Sequence, residues 1–182
     1  MVYAFLATGL EEVECLGVVD ILRRAGIEVK LVSVTGESMV TGSHNITIQA
    51  DALIEKVDFS KADLLFLPGG ASGTRNLAAC GLLCEQLKVF AAEGKRLAAI
   101  CAAPSVLGQL GLLEGKRATC YPGWEDRLTG AIHVSDGVVT DGNITTARGL
   151  GYAIDLGLEL VGRLAGAEVS QQIRDAIQYN YQ

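Results

Sequence analysis

The chain has 182 residues, 49% hydrophobic and 20% charged, with 15 basic against 21 acidic side chains and a net charge of −6. This length predicts one domain over residues 1–182 that buries about 70% of its unfolded surface, and the composition excludes a disordered chain. No basic cluster is present to hold nucleic acid, and no apolar run reaches the ~20 residues that a membrane-spanning helix needs.

VYAFLA (2–7) reads as a strand, and EEVECLGVVDILRRAG (11–26) as a helix stopped by Gly26. IEVKLVSV (27–34), rich in β-branched residues, is the next strand. MVTGSHNITIQAD (39–51) fits a short strand or hairpin outside the main pattern. ADLLFLP (62–68) is a buried strand, and GTRNLAACGLLCEQLKVFAAEG (73–94) is mostly helix. RLAAI (96–100) is a strand and PSVLGQLG (104–111) a helix. IHVSDGVVTDGNITTA (132–147) carries Asp-Gly pairs at Asp136 and Asp141 between β-prone runs and reads as a short meander. The segments from Gly151 and from Glu168 are helical, and Tyr152, Tyr179 and Tyr181 are read as packing residues. Alternating strands and helices predict an α/β fold with a mostly parallel central sheet between helical layers.

In such folds ligands sit outside the carboxyl ends of the strands. That rule brings four turns to one edge: Thr8 to Glu11, Gly69-Gly70, Cys101 to Pro104, and Arg148-Gly149. Cys101 lies where RLAAI meets a helix, followed by Ala102 and Ala103, which allow a sharp turn. A strand-to-helix elbow presents a reactive side chain, and helix-start amides favour a thiolate, which predicts a pKa below the free value of about 8.5. The backbone N–H groups of Ala102 and Gly70 are candidates to hold an oxyanion. A buried strand-end cysteine is the alternative.

Glu14 continues the apolar stripe of Val18, Ile21 and Ala25 on the first helix, near the edge that carries Cys101. A half-buried carboxyl there has a raised pKa and can exchange a proton with the sulfur. Glu11 and Glu12 read as helix-start acids. Five cysteines, Cys15, Cys80, Cys84, Cys101 and Cys120, form an odd set. With no basic n-region before VYAFLA, they predict free thiols in the reducing cytoplasm. Cys80 and Cys84 share one face of the predicted helix, and Cys120 is a candidate resolving thiol.

GLEEVE (9–14), RRAGIEV (23–29), LPGG (67–70), AAICAAP (98–104) and ARGLG (147–151) together resemble the ThiJ/PfpI superfamily, in its DJ-one branch, over nearly the full chain. The resemblance implies a flavodoxin-like three-layer sandwich, similar to class I glutamine amidotransferases, and a homodimer. It implies Cys101 as the reactive cysteine, Glu14 as its acid partner, and Gly70 and Ala102 as backbone donors beside the sulfur. Gly69, Tyr121 and Arg148 then fall in the substrate site, with Arg24 and Arg148 as arginines near the site and the dimer contact. The implied activity is that of a cofactor-free, metal-free glyoxalase or deglycase acting on small aldehydes or glycated substrates; the alternative is an oxidative-stress sensor or chaperone. Where relatives carry a histidine before a proline, this chain has Tyr121, and its two histidines, His44 and His133, lie elsewhere. A tyrosine is a poor base at neutral pH, so a Cys–His dyad is not expected.

Overall fold

The computed structural model describes residues 1–179, so Tyr181 lies outside the described residues. The chain runs β1 (Val2–Leu6), α1 (Glu12–Arg24), β2 (Val29–Ser33), β3 (Met39–Thr41), β4 (Thr47–Gln49), β5 (Ala52–Leu53) and β6 (Leu64–Leu67). It continues through α2 (Ala71–Ala79), α3 (Gly81–Ala92), β7 (Arg96–Ile100), α4 (Pro104–Gln109), β8 (Arg117–Ala118) and β9 (Ile132–His133). The last elements are β10 (Val138–Asp141), β11 (Ile144–Ala147), α5 (Ala153–Ala165) and α6 (Ala167–Ala176).

Seven strands form the central sheet in the order β10-β11-β7-β6-β1-β2-β5. Every pairing in it is parallel except β10 with β11. The alternation within β1 explains the layers. Val2, Ala4 and Leu6 face one core with Val18, Ile21 and Leu22 of α1 and Leu156 and Leu160 of α5. Tyr3 and Phe5 face the other, with Leu77 of α2, Leu87 and Phe90 of α3 and Val106 of α4. Each fully buried large apolar side chain contributes roughly 1.5–3 kcal/mol, which is why strands buried on both faces read as continuous apolar runs. The mostly parallel α/β sandwich is the architecture that the sequence predicts.

Three local features differ from the expectation. The helix over 73–94 is broken at Cys80, whose extended backbone (φ −81°, ψ 99°) ends α2 and starts α3. Gly81, a weak helix former, follows at the break. Cys80 and Cys84 therefore do not share one continuous helix, and the Cys84 thiol donates instead to the carbonyl of Ala78 at 3.4 Å. The 132–147 segment is not a meander. β10 and β11 form a hairpin through Gly142 (φ +60°), whereas β9 pairs in parallel with β8 in a separate two-stranded sheet. The backbone of Val134 donates to Ala118 at 3.0 Å, which commits that stretch to β8. The β3–β4 region is an antiparallel hairpin, as expected.

Candidate active site

Cys101 follows β7 directly and adopts φ +65°, a left-handed conformation that costs a non-glycine residue roughly 1–3 kcal/mol. Three backbone hydrogen bonds hold the elbow. Cys101 N–H donates to Ala147 at 2.9 Å, Tyr121 N–H donates to the Cys101 carbonyl at 2.8 Å, and Ala103 N–H donates to Ile100 at 3.0 Å. Ala102 and Ala103 are buried behind it, so larger residues have no room there. Cys101 itself stays partly exposed. The N–H groups of Gly70 and Ala102 both point at its sulfur.

Glu14 reaches the same point from the first turn of α1. Glu11 caps that helix, its Oε2 accepting the Glu14 N–H at 2.6 Å. The Glu14 side chain is 1% exposed. Its carboxyl accepts the N–H of Gly69 at 3.1 Å and faces the Cys101 thiol and the Leu150 N–H. Gly69 sits between the two groups. A Cβ there would collide with the Glu14 carboxylate and lie 2.6 Å from Cys101 Cβ. Gly70 has φ +87°, and a Cβ on it would lie 2.5 Å from the Gly9 carbonyl oxygen.

Burial, aided by the charge of Glu11, pushes the Glu14 carboxyl up to about 7 against the hydrogen bonds that hold it down. The Cys101 thiol moves opposite to the expectation of a lowered value. Burial, then the charge of Glu14 and its hydrogen bond, push the thiol up to about 12, outweighing the N–H groups of Gly70 and Ala102. α4 spans six residues, too short for its amides to dominate. The two groups titrate as a pair. The carboxyl loses its proton before the thiol, because burial and the adjacent carboxylate charge both oppose a thiolate. The reactive thiolate is the minor form in which the Glu14 carboxylate has taken the thiol proton.

Tyr121 stands at the mouth with its ring over Gly149, and it is half exposed. Arg148 donates its backbone N–H to Gly137 at 2.9 Å and flanks Tyr121 and Leu150 around one hollow. Arg24 is not near the site. It lies exposed at the far end of α1, roughly 15 Å along the helix from Glu14, and pairs with Asp20 at 2.6 Å. Cys15 and Cys120 are buried, one in each core.

Glu12 does more than begin a helix. Only 2% exposed, it accepts the His44 N–H at 2.7 Å, meets His44 Nδ1 at 2.8 Å, and so fastens the β3–β4 turn to α1. Burial works to raise its carboxyl, but these bonds hold it down at about 2. Glu11, Glu12 and His44 are the one set among the described residues with donor atoms grouped closely enough for a metal, within 4.8 Å. Their hydrogen bonds to one another and to the turn already occupy them.

The DJ-1/PfpI family model matches residues 1–163. The chain belongs to this family. A DJ-1/PfpI relative from Caenorhabditis elegans, the glutathione-independent glyoxalase DJR-1.2, is 31% identical over 165 residues, covering 90% of this chain and 87% of that protein. The Arabidopsis thaliana protein DJ-1 homolog A is 37% identical over 94% of this chain, but this chain spans only 44% of its length, and 39% of that of homolog B. The crystal structure of Drosophila melanogaster DJ-1beta superposes with a TM-score of 0.95 at 36% identity, covering 99% of this chain and 98% of that one. Among the described residues, no helix is long and apolar enough to cross a membrane.

Proposed function

We propose that this DJ-1/PfpI protein converts small 2-oxoaldehydes to 2-hydroxy acids without glutathione, metal or cofactor. The observation that carries this reading is the close approach of the Glu14 carboxyl to Cys101 across Gly69, at a strained, partly open elbow. The Cys101 thiolate adds to the aldehyde carbon of methylglyoxal, and the proton held by Glu14 goes to the new alkoxide, giving a hemithioacetal. The Gly70 and Ala102 N–H groups face the place where the negative charge moves from sulfur to oxygen. Glu14, now a carboxylate, takes the aldehyde hydrogen as a proton and leaves an enediolate. The hydroxyl proton on the sulfur-bearing carbon passes to the neighbouring oxygen, and Glu14 returns its proton to the neighbouring carbon, giving a thioester. Water then releases lactate and restores the thiol. One carbon is oxidised, its neighbour is reduced, and one water is consumed. Tyr121 and Arg148 border the entering substrate, and Gly69 lines the floor. The same first adduct serves deglycation of early glycated amines or thiols.

The test is lactate formation from methylglyoxal by the wild type, Cys101→Ser and Glu14→Gln without glutathione. The account expects both variants to lose at least ~100-fold; equal rates for all three reject it. A second reading has one observation behind it: the amides that face the sulfur also suit a sulfenate or sulfinate oxygen. In that reading Cys101 senses peroxide and the protein works through partners or as a chaperone. Under graded peroxide, Cys101 then gains oxygen before Cys80 and Cys120. The exposed apolar residues Val13 and Leu16 of α1 support a homodimer, which sedimentation of the wild type and Leu16→Asp tests. A reducing, cytoplasmic setting agrees with five cysteines that read as free thiols.

A further inference from the structure

Beside the elbow lies a hollow of about 260 Å³ whose lining is almost wholly carbon. Tyr121, Pro122, Leu150 and Tyr152 form its walls, Gly149 its floor, and Arg148 its rim. Tyr121, Leu150 and Tyr152 are 51%, 49% and 38% exposed, a local concentration of apolar surface that the folding core does not use. The two aromatic walls are seated by glycines. A Cβ on Gly149 would lie 3.3 Å from the Tyr121 ring, and one on Gly137 would collide with the ring of Tyr152. The hollow is also tied to the reacting pair through the backbone. Tyr121 donates its N–H to the carbonyl of Cys101 at 2.8 Å, and the Leu150 N–H faces the carboxyl of Glu14. Cys101 in turn donates to Ala147, next to Arg148.

We infer that this hollow receives the substituent on the ketone carbon of a 2-oxoaldehyde, so that the site favours aryl and longer alkyl 2-oxoaldehydes over glyoxal. The inference rests on the aldehyde reading above and adds the class of substrate. Shape supports it: the hollow is an open depression, and a phenyl or butyl group can lie along its carbon surface. The chemistry of the walls supports it too. A carbon-lined hollow gains from an apolar group in proportion to the area it covers and offers almost no partner to a second aldehyde hydrate, as on glyoxal. The Tyr121 ring presents a face for stacking, while the Arg148 guanidinium reaches toward the Ser135 carbonyl at 3.5 Å.

The full chain is assayed for glycolate, lactate and mandelate formed from glyoxal, methylglyoxal and phenylglyoxal without glutathione; measuring product excludes substrate lost to arginine modification. The expected kcat/KM for phenylglyoxal exceeds that for glyoxal by about tenfold or more, the scale on which apolar pockets discriminate. In Leu150→Ser and Tyr152→Ser that ratio falls about fivefold or more. Equal kcat/KM for the two substrates, or a ratio unmoved in both variants, overturns the inference. A second measurement stands apart from turnover: protection of Cys101 from iodoacetamide by mandelate and by lactate. Mandelate protecting at about tenfold lower concentration than lactate supports the hollow even if no aldehyde is consumed, in which case the aldehyde reading alone falls. Mandelate protecting no better than lactate counts against the hollow whatever the turnover.

Discussion

The carboxyl of Glu14 and the thiol of Cys101 touch across a strand that neither belongs to. Glu14 follows β1 and Cys101 follows β7, with β6 between them in the sheet. What closes the gap is Gly69, just beyond the end of β6, where a side chain would occupy the contact itself. Gly69→Ala is therefore expected to push the pair apart. Overpacking of this kind costs about 1–3 kcal/mol, and activity on methylglyoxal should fall well below a tenth of the wild type. Urea unfolding and lactate formation measure the two effects. An active Gly69→Ala protein would mean that the contact is dispensable.

Glu14 also ties stability to pH. Its carboxyl rises from 4.5 to about 7 on folding, so between those values the folded chain holds a proton that the unfolded chain has lost. The stabilisation is fully present below the unfolded value and is lost as pH climbs through the folded one. Wild-type stability should thus decline between about pH 4.5 and 7 relative to Glu14→Gln, at a slope of up to about 1.4 kcal/mol per pH unit. Parallel urea titrations of the two proteins across this range check it.

Glu12 has the opposite sign. Held down at about 2 by the backbone of His44 and Ile46 and by the His44 ring, it stabilises the fold above its unfolded value near 4.5. That contribution is lost as pH falls through 2. Glu12→Gln is expected to cost about 2 kcal/mol at neutral pH, the scale of hydrogen bonds to a buried charge. The difference from wild type should narrow as the solution is acidified toward pH 2. Hydrogen exchange of residues 42–46 should rise in the variant, because the turn loses its fastening.

The layers and the meeting of Glu14 with Cys101 were legible because both follow from periodicity. Val2, Ala4 and Leu6 alternate with Tyr3 and Phe5, and Glu14 stands in register with Val18 and Ile21. A carboxyl on that stripe has to meet whatever the next turns bring to the edge. The parts that were not legible depend on contacts far apart in sequence. Glu12 looks like any acid at a helix start, and only the fold brings His44, 32 residues later, onto it. The Leu150 N–H on Glu14 is equally invisible, since a backbone donor leaves no mark in the sequence. Arg24 sits in a motif that matches the family, yet helical rise carries it away from the elbow. A helix start by itself argues for an acidic thiol, and the burial and adjacent carboxylate that reverse this at Cys101 exist only in the fold.

The most direct test of the shared proton is the alkylation rate of Cys101 against pH, read by intact mass, in the wild type and in Glu14→Gln. In the wild type, burial and the charge and hydrogen bond of Glu14 hold the thiol up at about 12, so reactivity should stay low through neutral pH and climb only well above it. In Glu14→Gln, with that charge gone, the rise should move to clearly lower pH. Superimposable profiles, or a variant less reactive at neutral pH than the wild type, would contradict the account.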